Sequence, residues 1–69
     1  MPSFVQELEA AALCASTRER RVELTFAAAT VAGWLHILAG EGSREALIGL
    51  NAAVAISWRI LCEDPLYRG

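Results

Sequence analysis

The sequence predicts an all-α fold, in which an antiparallel helical hairpin with a short N-terminal helical extension dimerises into a four-helix-type bundle. Two long apolar runs, residues 24–40 and 46–58, contain no charged residue, and a polar link of five residues separates them. The two prolines stand at positions 2 and 65, so neither run contains a residue that lacks a backbone donor. Ala-rich runs of this kind favour helix over strand.

Size and composition together predict that the chain oligomerises. Its 69 residues allow one helical domain, residues 1–69. A single core in a chain shorter than about 70–80 residues rarely supplies more than ~3–5 kcal/mol. Hydrophobic residues make up 55% of the chain, above the ~45–50% of ordinary globular proteins. Because two cysteines form no disulfide framework and no metal-ligand cluster is present, a second copy is the remaining source of stability.

The first predicted helix covers residues 4–15. Ser3 can cap it, with Gln6 three residues later as the reciprocal partner of a capping box. Glu7 and Glu9 lie in the first turns, where the helix dipole favours negative charge. The segment therefore has a complete N-terminal start signal, although its apolar stripe is weak.

The second predicted helix covers residues 17–39. Ser16 and Glu19 form another S-x-x-E start signal, so residues 4–39 form either one long helix or two helices. The second signal favours a break or kink. Gly40 is the expected left-handed C-terminal cap, because glycine adopts that conformation without a steric penalty.

The third predicted helix covers residues 44–63. Ser43 is its expected N-cap. Asp64 and Pro65 are expected to stop it, because the residue before a proline is disfavoured in a helix. Residues 64–69 form a tail. The short link between the second and third helices predicts that they are antiparallel neighbours.

Each long helix carries two apolar stripes, whereas a surface helix normally carries one. Those of the second helix are Val22, Phe26, Ala29, Gly33, Ile37 and Leu24, Ala28, Val31, Leu35, Leu38. Those of the third are Leu47, Leu50, Val54, Leu61 and Ala46, Gly49, Ala53, Ile56, Ile60. Helices that pack on two sides are satisfied when two hairpins form a bundle. The residues expected to pack the dimer are Phe26, Ala29, Gly33, Gly49, Ala53 and Trp58.

Arginine and aromatic residues are the candidate contacts to another protein. All six basic residues are arginine, which suits bidentate pairing at interfaces, although codon bias accounts for the same composition. Aromatic residues and arginine also dominate interface hot spots. The alternatives are that the arginines near position 20 form a solvated helix start and that Trp34 fills the dimer core. The predicted partner-binding residues are Arg18, Arg20, Arg21, Trp34, Arg59 and Tyr67.

The sequence does not predict an enzyme. It contains no G-x-S-x-G motif, no Gly-rich phosphate loop and no paired His or Cys motif. His36 has no carboxylate or thiol near it in sequence, so it is a poor catalytic or metal candidate. Cys14 and Cys62 are expected to be reduced thiols. We expect no metal or cofactor, and the net charge of −2 argues against nucleic-acid binding.

In size, in its use of arginine over lysine and in its hairpin layout, the chain resembles small phage-encoded proteins that inhibit host regulators. These include proteins that block quorum-sensing transcription factors. The resemblance implies a homodimer that binds and inhibits or modulates a larger host protein, such as a transcriptional regulator. It rests on the general design, so no residue roles follow from it. Secretion-system chaperones share the same layout.

The alternative function is a two-span membrane hairpin in the inner membrane, similar to holins. Residues 24–40 reach the lower length limit for a span, and the arginines at positions 18–21, 59 and 68 would lie on one side. Against it, the second run ends after 13 residues at Arg59. The N-terminus lacks a signal peptide, which predicts a cytoplasmic protein. A DNA-binding helix-turn-helix is disfavoured because the helix after the link is almost entirely apolar.

Overall fold

Three helices account for most of the chain. The structure, a computed structural model, describes residues 3–63 and comprises α1 (Phe4–Leu13), α2 (Arg18–Glu41) and α3 (Arg44–Cys62). No strand occurs within residues 3–63, so the predicted all-α class is confirmed. The predicted tail, with its Asp64–Pro65 stop, lies outside the described residues.

The start of α1 has the predicted capping box. The Ser3 hydroxyl accepts a hydrogen bond from the backbone N–H of Gln6 at 3.2 Å. The Gln6 side chain in turn accepts one from the backbone N–H of Ser3 at 2.8 Å. These two bonds satisfy donors that a helix N-terminus otherwise leaves without a partner.

The chain breaks between α1 and α2, so residues 4–39 form two helices. The predicted cap at Ser16 was wrong by one residue: Thr17 is the N-cap of α2, and its hydroxyl accepts from the backbone N–H of Arg20 at 3.1 Å. Glu19 therefore occupies the second helical position instead of closing a capping box. Threonine and serine are interchangeable as caps, which is why two adjacent candidates misplaced the boundary.

The link between α2 and α3 is shorter than predicted. Gly42, with φ of 61°, is the left-handed cap of α2. The prediction that Gly40 takes this role was wrong, because Gly40 is still helical. Ser43 caps α3 as predicted, accepting from the backbone N–H of Ala46 at 3.1 Å. Two non-helical residues therefore reverse the chain, and the tight reversal places α3 alongside α2.

The core is small and lies where α1 crosses the hairpin of α2 and α3. Leu8, Leu24 and Leu61, one from each helix, are fully buried. The remaining members of the cluster are mostly alanine: Ala12, Ala27, Ala28, Val31 and Ala53. At one edge of α1 the rings of Phe4 and Trp58 contact each other, with centroids 6.0 Å apart.

Candidate interaction surface

The two predicted apolar stripes of α2 differ in burial. Leu24, Ala28 and Val31, which share one stripe, are buried against the rest of the chain. The other stripe, which we call the exposed stripe, faces away from that core. All five of its members are exposed: Val22, Phe26, Ala29, Gly33 and Ile37. The helix is therefore apolar on two opposite sides, and the described residues cover only one of them.

A groove of about 810 Å³ runs between α2 and α3. Its charged lining, Arg18, Glu19 and Glu23, lies at the start of α2, and the hydroxyl residues Thr30 and Ser57 also line it. None of the lining residues belongs to α1, so α1 does not close it. Its apolar lining comprises Val22, Phe26, Ala27, Ala53, Ile56 and Ile60. We call this the α2–α3 groove; its walls include three of the large apolar side chains that the chain leaves exposed, Val22, Phe26 and Ile56.

A smaller groove of about 430 Å³ lies between α1 and α2. Val5 and Leu13 line it from α1, and Thr25 and Ala29 line it from α2. Glu9 also lines this groove, so a carboxylate stands beside the apolar part of α2. The groove on this side of α2 thus has about half the volume of the α2–α3 groove.

Of the four arginines predicted to bind a partner, one is structural and three are exposed. Arg20 is half-buried, pairs with Glu23 at 2.8 Å and donates a hydrogen bond to the backbone carbonyl of Ile60. It therefore ties the start of α2 to the end of α3. Arg18, Arg21 and Arg59 are exposed at the same end of the hairpin. Arg18 lines the α2–α3 groove, whereas Arg21 lines the groove beside α1.

Trp34 is half-buried and packs over Gly49 of the same chain. A methyl group built at Gly49 would lie 2.6 Å from the Trp34 ring, so the ring occupies the space that a side chain at position 49 would need. Of the other residues expected to pack a dimer, Ala53 is buried in the core and Trp58 is 50% exposed beside Phe4. Phe26, Ala29 and Gly33 lie together on the exposed stripe.

Three large aliphatic residues that line the α2–α3 groove were not among the predicted contacts: Val22, Ile56 and Ile60. The signal was present for each of them. Val22 was placed on the stripe of Phe26, and Ile56 and Ile60 were placed on the stripe of Ala53. The choice among stripe members had favoured small and aromatic residues, although the structure exposes aliphatic ones as well.

Metal-ligand clusters and disulfides are both absent from the part of the chain that the structure describes. Residues 3–63 contain no group of three or more His, Cys, Asp or Glu side chains that could hold a metal ion. Cys14 is exposed and Cys62 is half-buried, and they form no disulfide with each other. Tyr67, the remaining predicted contact, lies outside the described residues.

Two of the helices meet the length and composition of membrane spans. The spans are Arg18–Glu41 and Arg44–Cys62, with mean hydropathies of 1.5 and 1.4. In each apolar window 22% of the residues are buried. Core helices of soluble proteins and signal sequences meet the same criteria of length and composition.

Comparisons with protein families, with curated proteins and with solved structures gave no match to this chain. The surfaces described above are therefore interpreted from their own chemistry.

Proposed function

We propose that this protein is a small, non-enzymatic interaction module. It forms a homodimer through the exposed stripe of α2 and the α2–α3 groove. The dimer binds a larger host protein, such as a transcriptional regulator, and inhibits or modulates it. In this proposal the protein acts in the cytoplasm.

The main observation in favour of a dimer is that α1 covers only one side of the hairpin of α2 and α3. α1 covers one side, whereas Val22 (60% exposed), Phe26 (73%) and Ile56 (59%) line a groove that no other described segment enters. Large contiguous apolar patches on small proteins mark interaction sites. Burying these side chains against a second hairpin removes apolar area from water, at roughly 25 cal/mol per Å².

The observation that supports a target contact is the group of exposed arginines. Arg21 and Arg59 lie at the end of the hairpin where Arg20 joins α2 to α3. Guanidinium groups at such an end can form bidentate pairs with carboxylates of another protein. In this proposal the protein acts by occupying a surface of its target.

The membrane hairpin is the competing proposal, and the length of α2 and α3 favours it. The position of α1 disfavours it. Glu9 shares a groove with Thr25, Ala28 and Ala29, which lie within the apolar run of α2. Inserting α2 with α1 packed in this way would carry the Glu9 carboxylate into hydrocarbon, where an ionised side chain is costly.

The first experiment is size-exclusion chromatography with light scattering on protein purified without detergent. A monodisperse dimer is the expected result. Phe26→Lys should give a monomer, because it places a charge in the apolar contact. The matched control is Ile48→Lys, since Ile48 is 59% exposed on α3 and lines neither groove, and its variant should remain dimeric. Recovery only from the membrane fraction would overturn the proposal in favour of the hairpin.

A second experiment tests the target contact. The tagged dimer should capture a protein from host lysate, and the Arg21→Ala, Arg59→Ala double variant should capture less of it. Arg44→Ala, at the opposite end of the hairpin, is the control and should capture the wild-type amount. Equal capture by all three proteins would remove the arginines from the target contact.

A further inference from the structure

The exposed stripe of α2 places two small residues, Ala29 and Gly33, between large ones, and no contact among the described residues requires them to be small. Phe26 projects its ring into solvent, with 73% of its surface exposed. Gly33 stands inside the helix, and a methyl group built there meets no atom within 4 Å. Glycine inside a helix is destabilising relative to alanine. Nothing among the described residues uses the space that this glycine leaves.

We infer that a second copy of the chain fills the space beside Gly33. In this arrangement, which rests on the homodimer proposed above, the two α2 helices pack antiparallel along the exposed stripe. Phe26 of each copy sits over Gly33 of its partner. Close approach of two helices is easiest where one backbone presents glycine, so the large side chain and the small residue complement each other.

Twofold symmetry fits the positions of these residues. A twofold interface uses the same patch on both copies. α2 runs Arg18–Glu41, so its midpoint falls between Ala29 and Thr30. A twofold axis there brings Phe26 to the height of the partner's Gly33. The two residues are seven positions apart, which is two turns, so both face the partner.

A partner copy related by the same twofold axis also covers the α2–α3 groove. It places the partner's Ile37 at the height of Val22, which lines the groove together with Ile56 and Ile60. Ile37 is itself 40% exposed. One arrangement therefore accounts for the exposed stripe and for the groove beside it.

Charge favours the antiparallel direction over the parallel one. Residues 18–23, at the start of α2, hold three arginines and two glutamates, a net charge of +1. Residues 41–45, at the opposite end of the hairpin, hold two glutamates and one arginine, a net charge of −1. Antiparallel packing sets the arginine end of one copy beside the glutamate end of the other. Parallel packing sets like charges beside each other, which is unfavourable. The helix dipoles also favour the antiparallel direction.

Cysteine cross-linking tests the direction and the register together. In a background with Cys14→Ser and Cys62→Ser, the probe is Ala29→Cys, next to the proposed axis, where each residue meets its own copy. Oxidation with copper–phenanthroline should convert it to a covalent dimer. Val22→Cys is the matched control, because antiparallel packing separates it from its own copy by about 22 Å along the helix. It should remain uncrosslinked.

The other outcomes separate this inference from the homodimer itself. A dimer that cross-links through Val22→Cys and not through Ala29→Cys is parallel, which overturns the inference and keeps the homodimer. A dimer that cross-links through neither cysteine variant uses a different surface. That result also overturns the inference and keeps the homodimer. A monomer at every concentration overturns both proposals.

Exchanging the large and small residues tests the Phe26–Gly33 contact directly. Phe26→Ala and Gly33→Leu should each weaken dimerisation about tenfold or more, as expected for an anchor residue. The double variant should recover to within about threefold of the wild type, because the large side chain is restored on the opposite copy. Ala55→Leu, exposed on α3, is the control. Additive losses in the double variant would overturn the contact.

Discussion

The two faces of α2 show how one helix can be apolar on both sides and yet be packed on only one. On the covered face, Leu24 and Val31 are 0% and 1% exposed, because α1 and α3 close over them. On the opposite face, Val22 and Phe26 remain largely exposed. The residues are of the same chemical type and stand within one or two turns of each other, so composition alone does not decide their burial.

The two faces differ in burial because α1 is too short to cover both sides of the hairpin. α1 has 10 residues, and it packs against one side of a hairpin whose two helices have 24 and 19 residues. α1 completes a core on that side, and no helix among residues 3–63 covers the other side. The covered face should therefore govern folding of one chain, and the exposed face should govern association of two.

Among the variants that distinguish the two faces of α2, Leu24→Ala is expected to cause the largest loss of folding stability. Removing a fully buried leucine side chain costs about 2–5 kcal/mol, which is comparable to the whole stability of so small a core. Urea denaturation followed by circular dichroism should show loss of the cooperative transition. Val22→Ala, two residues away on the exposed stripe, should keep the transition and change its dependence on protein concentration. Equal destabilisation by both variants would contradict the distinction.

Arg20→Ala should give the next largest effect, because Arg20 holds the two ends of the hairpin on the covered side together. Its guanidinium contacts Glu23 and the carbonyl of Ile60, which lies in the last turn of α3, where carbonyls lack a helical donor. Hydrogen bonds that involve a charged group contribute about 1.5–3 kcal/mol. Thermal unfolding should show this loss, while Arg21→Ala should unfold as the wild type does.

Gly49→Leu should destabilise the chain by about 1–3 kcal/mol, as overpacking generally does. The added side chain displaces the Trp34 ring, so the fluorescence of the folded protein should change together with its melting temperature. Gly40→Ala is the contrasting variant, because a methyl group there meets no atom within 4 Å. It should not lower the stability of a single chain. A Gly49→Leu protein with unaltered fluorescence would refute the packing of Trp34 on Gly49.

The smallest effect should come from Thr17→Ala, at the boundary between α1 and α2. Loss of an N-cap hydroxyl costs about 1 kcal/mol. Ser16→Ala, one residue earlier, should cost little, because Ser16 does not cap the helix. If Ser16→Ala proved the more damaging change, α2 would begin one residue earlier than Arg18.

Local signals in the sequence predicted the local structure well. Ser3 with Gln6, and Ser43, were assigned as caps because each cap depends on residues within four positions of itself. Ser16 and Gly40 were assigned wrongly because an equally suitable residue stood close by, Thr17 in one case and Gly42 in the other. Propensity does not choose between such neighbours, since the packing of the helices fixes where each one ends.

The tertiary placement of individual residues was less accessible to sequence reasoning. Both stripes of α2 were recognised, but their patterns gave no sign of which one α1 and α3 would cover. Trp34 and Gly49 were treated as surface and dimer residues, whereas they pack on each other. Their contact depends on the register between α2 and α3, which the length of the link sets and which no periodicity within one helix reveals.

The shortness of α1 has a consequence for the motions of the hairpin. At about 1.5 Å per residue, α1 extends about 15 Å and α2 about 36 Å, so the half of the hairpin that leads to Gly42 is two helices thick. Backbone amides near Gly40 and Gly42 should exchange with deuterium sooner than those near Leu24. The hairpin should thus open from its tip, and protection should increase steadily toward the end where the three leucines meet.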